Sequence, residues 1–322
     1  MNAFRWHGGR LAEARALYGD GTEPWIDLST GINPLPWPGA ASIAPEWQAL
    51  PDPAELADLE AAAAAYFGVD PSHLCAVPGS EIGLRIVGQM IARPASYLLP
   101  SYRTHGEAFD QSIPMCEPED APVGTCLLLA NPNNPDGRAF VPKRLVALMQ
   151  RPDWLIIDEA FADCLPDHSM MKWVGEARRL IILRSFGKFF GLAGVRLGFV
   201  AGPPDIVAAC RRLLGDWPVS AAAVAFGRRA YRDAPWIAST VRHLKDKADA
   251  LDVLLARHGL PARGACPLFR LVETPDAAAL FDRLARHAIL TRPFESEPRW
   301  LRFGLPAGEA EMARLDAALA DG

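Results

Sequence analysis

One lysine stands in a glycine-rich run, Ser185-Phe186-Gly187-Lys188-Phe189-Phe190-Gly191-Leu192-Ala193-Gly194-Val195-Arg196, with Asp158 and Asn134 upstream of it. An amine shielded in such a turn loses hydration, its pKa falls, and it becomes a nucleophile able to condense with a carbonyl. Asp158 closes the apolar run Trp154-Leu155-Ile156-Ile157. A carboxylate there suits a ring nitrogen that must stay protonated; a helix cap or a metal ligand is its plainer reading. Arg196, eight residues past the lysine, suits an anion, and the Ser185 hydroxyl can serve the same anion. The Gly187-Lys188 pair is not a nucleotide-binding P-loop, because Ile182 occupies the position where that motif needs glycine.

Pro78-Gly79-Ser80-Glu81 precedes a helical pattern, so the amides of Ser80 and Glu81 form a helix N-terminal nest for a phosphate, with Ser80 as a simple N-cap the alternative. Asn131-Pro132-Asn133-Asn134-Pro135-Asp136-Gly137 has the composition of a turn, which can present the Asn134 amide to a phenolic oxygen. Tyr102, in Pro100-Ser101-Tyr102, follows a strand and either stacks on an aromatic ring or packs in the core. Glu159 reads as structural. Lysine, carboxylate, amide and phosphate cup together match pyridoxal 5′-phosphate, with Lys188 as Schiff-base lysine and Asp158 as partner of the pyridinium nitrogen.

These groups need a scaffold. Short apolar runs at 97–99, 126–130, 154–158, 180–184 and 197–201 read as strands, with helical patterns at 80–92 and 142–150 among them. Such alternation predicts an α/β fold with a largely parallel sheet, whose ligands lie beyond the carboxyl ends of its strands. Asn134, Asp158 and Lys188 all fall at or just past such ends. The Pro- and Gly-rich stretch 31–53 reads as an extended arm, and regular structure is expected from about residue 54, where an Ala-rich helix over 55–67 stops at Gly68. A helix over 235–258, strands at 268–272, 288–292 and 300–303, and helices over 276–287 and 308–320 predict a smaller α+β lobe.

The chain has 322 residues, half of them hydrophobic and 22% charged, with net charge −5. That excludes disorder and makes nucleic acid a poor partner. The N-terminus lacks a signal-peptide core and no run reaches membrane-span length, so a cytoplasmic protein without a membrane partner is expected. Six scattered cysteines form no C-x-x-C pair and lack histidines at zinc spacing, so they are expected to be reduced and mostly buried, with no metal site.

With Asn133-Asn134-Pro135-Asp136-Gly137, Asp158-Glu159-Ala160-Phe161, and Lys188 followed by Arg196, the whole chain resembles the fold-type I pyridoxal-phosphate enzymes. The likeness is to the branch that holds histidinol-phosphate aminotransferases and L-threonine-O-3-phosphate decarboxylases. His7-Gly8-Gly9 and Asp27-Leu28-Ser29-Thr30-Gly31-Ile32-Asn33-Pro34 resemble the decarboxylases. The resemblance implies a large mostly parallel domain at 36–235, a small α+β domain at 236–322 joined by an N-terminal arm at 1–35, and a homodimer. It also implies a phosphorylated amino acid substrate, with Arg302 on the α-carboxylate, Arg292 and His7 on the phosphate, and Gly8 and Asn33 completing the set. Read from residue type alone, the two arginines are equally solvated surface charges. The activity implied is decarboxylation of L-threonine O-3-phosphate in cobalamin biosynthesis, the alternative being a histidinol-phosphate-type aminotransferase.

Three positions depart from the aminotransferase pattern. Phe161 stands where a tyrosine usually meets the cofactor phenolate, Gly187 where a hydroxyl residue meets its phosphate, and Leu50 where a partner-subunit tyrosine often reaches that phosphate. The backbone nest and Arg196 therefore carry more of the phosphate.

Overall fold

The computed structural model describes residues 4, 7–21, 23–175 and 178–321. It divides into a larger unit, Pro36–Asn134 with Arg138–Val241, and a smaller one, Met1–Leu35 with Pro135–Gly137 and Arg242–Gly322. The smaller unit opens with helix α1 (Leu11–Tyr18) and strand β1 (Ile26–Asp27). The larger unit runs through α2 (Pro53–Phe67), β2 (Leu74–Val77), α3 (Ser80–Ile91), β3 (Ala95–Leu98), β4 (Ser112–Met115), β5 (Cys126–Ala130), α4 (Pro142–Leu148) and β6 (Trp154–Asp158). It continues with β7 (Leu180–Ser185), the single-turn α5 (Phe186–Phe189), β8 (Gly198–Ala201), α6 (Pro204–Leu214) and α7 (Ala221–Ala230). Helix α8 (Ala234–Arg257) then leads to β9 (Ala262–Arg263), β10 (Phe269–Glu273), α9 (Ala277–Arg286), β11 (Ile289–Leu290), β12 (Arg292–Pro293), β13 (Trp300–Gly304) and α10 (Glu309–Ala320).

The larger unit is built on a seven-stranded sheet among the described residues, in the order β2-β8-β7-β6-β5-β3-β4. Strands β4, β3, β5, β6 and β7 are parallel to one another, and β8 runs against both β7 and β2. The reversal has a local cause. The chain between β7 and β8 is spent on the turn that carries Lys188 rather than on a crossover helix, and a parallel return needs such a crossover. Fold-type I is thus the architecture.

Side-chain alternation separates the two faces of this sheet. Ile156, Ile181, Leu183 and Val200 pack with Leu84 and Val87 of α3 and with Val207 and Cys210 of α6. On the other face Phe67 of α2, Phe199 of β8 and Tyr231 form an edge-to-face aromatic cluster. Helix α2 ends as its sequence dictates: Asp52 caps Ala54 N at 2.7 Å, Pro53 fills the first turn, and Gly68 closes it in the left-handed region at φ 72°.

The smaller unit holds an antiparallel sheet ordered β12-β13-β10-β9 and a short parallel pair, β1 with β11. The expected strand 288–292 divides into β11 and β12, with Ala288 at φ 56° ahead of them. The expectation that regular structure waits until residue 54 is corrected by α1 and β1. The arm is also packed in part: Trp37 is buried, its indole donating to Asp233 at 2.9 Å and its backbone N–H to Phe190 O at 2.9 Å. Among the described residues no helix is long and apolar enough to cross a membrane, and no three His, Cys, Asp or Glu side chains cluster to hold a metal.

Candidate active site

Lys188 is the third residue of α5. A helix of one turn does not hold itself together, so its position is set by neighbours. The neighbours are aromatic: Phe186, Phe189 and Phe190 are fully buried, Phe186 stacks on Phe190 at 4.6 Å, and Phe190 stacks in turn on Trp236 at 5.6 Å. The half-buried Lys188 ammonium lies 6.0 Å from the centre of the Phe161 ring. Gly187 lacks a hydroxyl for a steric reason, since a Cβ there would stand 2.6 Å from Ala193 Cα.

Asp158 ends β6 with one carboxylate oxygen accepting Ala160 N at 3.0 Å and the other 3.3 Å from His105 Nε2. His105 is buried, so its ring is held against this carboxylate out of water. Nothing in the sequence signals this histidine. The turn holding Asn134 is closed by Asn133 N donating to Arg138 O at 2.7 Å, and the Asn133 amide donates to Pro100 O at 2.8 Å. Tyr102 donates to Glu81 Oε2 at 3.2 Å and meets His105 edge-on at 6.1 Å.

The phosphate cup has an unusual feature. Gly79 is the N-cap of α3, with φ 93° and no side-chain cap, and Ser80 is the first helical residue, which corrects its reading as the N-cap. The exposed Arg196 adopts φ 56°, a left-handed backbone costing on the order of 1 kcal/mol. That conformation sets its guanidinium so close to Gly79 that a Cβ there would lie 2.7 Å from Nη2. Helix N-terminus and guanidinium are both positive and converge on one place, an arrangement that an anion between them stabilises. The Glu81 carboxylate turns to Arg85, Tyr102 and Thr104. Burial works to raise its pKa, but the three hydrogen bonds outweigh it and hold the group below the usual carboxylate range. Buried Ser185 lies at the end of β7, paired in register with Gly198 of β8.

In the smaller unit, Arg292 and Arg302 are register partners on β12 and β13, and both are buried, so they are not solvated surface charges. Arg302 Nη2 donates to Ser29 O at 3.0 Å and Arg292 Nη1 to Phe4 O at 2.9 Å. The same Ser29 is bound by Asp27 Oδ1 at its N–H (2.9 Å) and hydroxyl (2.5 Å), and its Oγ accepts Gly9 N at 2.7 Å. Gly8 passes so near that a Cβ would lie 2.3 Å from Ser29 O. The N-terminal motif and Arg302 thus meet at Ser29, which sequence reading did not single out. Asn33 is buried and its Oδ1 accepts Leu35 N at 3.0 Å; His7 is exposed. Burial first, then the charge of Arg292, bring the Arg302 guanidinium down to about 9, against smaller opposing effects of Cys266 and Asp27.

Lysine, carboxylate and anion cup at the carboxyl edge of this sheet fit pyridoxal phosphate, and the protein is a pyridoxal-phosphate-dependent enzyme. The chain belongs to the family of class I and II aminotransferases, which matches residues 107–318. It is 41% identical to a threonine-phosphate decarboxylase of Pseudomonas aeruginosa over 97% of this chain and 96% of that one. It is 37% identical to a threonine-phosphate decarboxylase of Sinorhizobium sp over 99% of each. Histidinol-phosphate aminotransferase from Sinorhizobium meliloti, solved with pyridoxal-5′-phosphate, shares the fold at a TM-score of 0.82 and 22% identity, covering 96% of this chain and 92% of that one.

Proposed function

We propose that the chain decarboxylates L-threonine O-3-phosphate to (R)-1-amino-2-propanol O-2-phosphate and CO2, in cobalamin biosynthesis. The observation that carries this reading is the likeness to two threonine-phosphate decarboxylases over nearly the whole length, alongside a complete lysine, carboxylate and phosphate-cup set. Pyridoxal phosphate, when bound, takes up the electron pair left on Cα as the bond to the carboxylate breaks.

The residues have the following tasks. Lys188 Nζ would hold the cofactor and, when free of it, would be the amine that hands a proton to Cα. Asp158, fixed by Ala160 N and His105, keeps the ring nitrogen protonated. Asn134 donates to the phenolic oxygen, and Tyr102 covers the ring. The amides of Ser80 and Glu81, the Ser185 hydroxyl and Arg196 take the cofactor phosphate. Arg302 would bind and orient the substrate carboxylate, Arg292 and His7 would serve the substrate phosphate, and Gly8 and Asn33 would complete the substrate set.

The same proposal includes a homodimer acting in the cytoplasm. Trp47 and Leu50 are 73% and 64% exposed on the segment ahead of α2, apolar surface that a second copy would cover. All six cysteines are free thiols, a state that a reducing compartment preserves.

The test is to incubate the pyridoxal-phosphate-loaded protein with O-phospho-L-threonine and follow CO2 and amine product, with histidinol phosphate plus 2-oxoglutarate in parallel. CO2 and aminopropanol phosphate formed without any keto acid are expected. Glutamate formation in the second mixture with no CO2 in the first overturns the reading in favour of an aminotransferase.

A further inference from the structure

Arg184 is a buried cation in an otherwise apolar strand, Leu180-Ile181-Ile182-Leu183-Arg184-Ser185. Withdrawing a guanidinium from water costs several kcal/mol, so its partners have to repay a large penalty. They do so from three directions. Nη1 donates to Glu159 Oε2 at 2.8 Å and to Ser169 Oγ at 3.2 Å, Nη2 binds Asp163, and the guanidinium lies 4.5 Å above the Phe67 ring.

Arg184 and Glu159 each sit one step from a residue assigned to the cofactor site. Arg184 precedes Ser185 and the turn bearing Lys188. Glu159 follows Asp158, and its N–H donates to Leu183 O at 2.9 Å, fixing the ends of β6 and β7 to each other. Glu159 also closes the loop that follows, its Oε1 accepting Met170 N at 2.5 Å and its Oε2 the Ser169 hydroxyl at 2.6 Å. That loop reaches the third segment: the Asn131 amide donates to His168 O at 3.0 Å, and Asn131 opens the turn that presents Asn134. One buried polar cluster thus ties together the ends of β5, β6 and β7, none of its members being assigned to the cofactor itself.

We infer that Arg184, anchored by Glu159 and Asp163, is a positioning residue that sets how Asp158, Lys188 and Asn134 stand toward pyridoxal phosphate. The inference rests on the assignment of those three residues to the cofactor. A matched control exists in the same unit. Glu60 is also a buried carboxylate that accepts a backbone N–H, from Ala76 at 2.8 Å, and an arginine, Arg211 at 2.6 Å. Arg211 also reaches Leu74 O at the start of β2, the outermost strand beside β8, so this pair touches none of the ends of β5, β6 and β7, although β2 runs on to Gly79 and Ser80.

The experiment compares Glu159→Gln, Arg184→Lys and Arg184→Met with Glu60→Gln. It measures the dissociation constant of pyridoxal phosphate, the pH midpoint of the visible absorbance of the lysine-held cofactor, and the melting temperature of the cofactor-free protein. Loss of a supporting residue of this kind weakens binding roughly 10–100-fold. Glu159→Gln and Arg184→Met are expected to weaken pyridoxal phosphate by that factor and to shift the midpoint, with Arg184→Lys recovering part of both. Glu60→Gln should lower the melting temperature and leave both readouts alone. Equal cofactor affinity and midpoint in wild type, Glu159→Gln and Arg184→Met overturns the inference, as does an equal loss in Glu60→Gln. Ser169→Ala, which removes one link and little volume, supplies the same comparison if Arg184→Met does not fold. Lys188→Ala separates the two levels: if it keeps the lysine-dependent absorbance, the site assignment itself falls, and the positioning role with it.

Discussion

Arg184 in the larger unit and Arg302 in the smaller are both withdrawn from water, yet their charges are met differently. Burial presses the pKa of Arg184 downward, but Asp163 and Glu159 outweigh it and hold the guanidinium above its ordinary value. The exchange is mutual. Burial pushes the Glu159 carboxyl up, opposed by Arg184, Met170 N–H and the Ser169 hydroxyl. Arg302 has burial and a like charge acting together to lower its pKa, and one of its hydrogen bonds goes to a neutral carbonyl. A buried cation answered by carboxylates is a structural joint. A cation whose pKa burial and a like charge bring down gains more from an incoming anion.

The comparison predicts opposite signs for the same truncation. Arg184→Met leaves two buried carboxylates behind and should destabilise the protein by about 3–5 kcal/mol, read by denaturant unfolding of the cofactor-free protein. If Arg184→Met unfolds at the wild-type midpoint, the joint is not one.

Arg302→Met removes the source of strain instead. It should cut kcat/KM for O-phospho-L-threonine by about 100-fold, roughly 3 kcal/mol, while leaving stability unchanged or raised. The pH sign follows from its folded value of about 9 against an ordinary 12.5. The protonated guanidinium is the destabilising form, so the penalty is present in full below about 9 and fades as pH rises toward 12.5. Any stability advantage of Arg302→Met over wild type should therefore narrow above that pH. An advantage that grows with alkalinity contradicts the account.

Inorganic phosphate sharpens the contrast further. It should raise the melting temperature of the cofactor-free wild type, and less so that of Arg196→Met, because anion binding to the folded state alone adds stability by mass action. Equal shifts in both proteins place the anion elsewhere.

The smallest effect belongs to a surface cluster. Hydrogen bonds from Arg232 and then Arg228 hold the Asp58 carboxyl down to about 2, joining α2 to α7. Such a half-exposed network is worth under about 1 kcal/mol. Its folded pKa lies below the ordinary 3.8, so its contribution is present above 3.8 and lost as pH falls through about 2. Asp58→Asn should flatten that part of the acid-unfolding profile, and should do nothing at neutral pH beyond that small loss.

Much of the site was legible because its chemistry is local. Lys188, Asp158 and Asn134 follow apolar runs, and a strand followed by a polar residue already says where the side chain emerges. Helix α2 was legible for a similar reason, its Asp-Pro start and Gly stop acting within a few residues. Strands β2 and β4 and helices α6 and α7 fell outside that reading. Leu74–Val77 and Ser112–Met115 are four residues each, too short for periodicity to distinguish a strand from a loop. His105 carried no signal at all, and Ser29 only its place within the N-terminal motif, because their contacts come from a carboxylate 53 residues away and an arginine 273 residues away.

The sequence by itself determined the cofactor class and the α/β alternation, since each depends on residue type and on spacing within a few turns or strands. The tertiary structure alone decided in which direction its surroundings shift each buried charge. Arg184 and Arg302 look alike in their strands, one before Ser185 and the other before Phe303. The difference includes what long-range folding brings to each: two carboxylates from the loop after β6 beside Arg184, and a second arginine in register with Arg302. Electrostatic energy depends on distance through space and on exclusion of water, neither of which a linear order of residues contains.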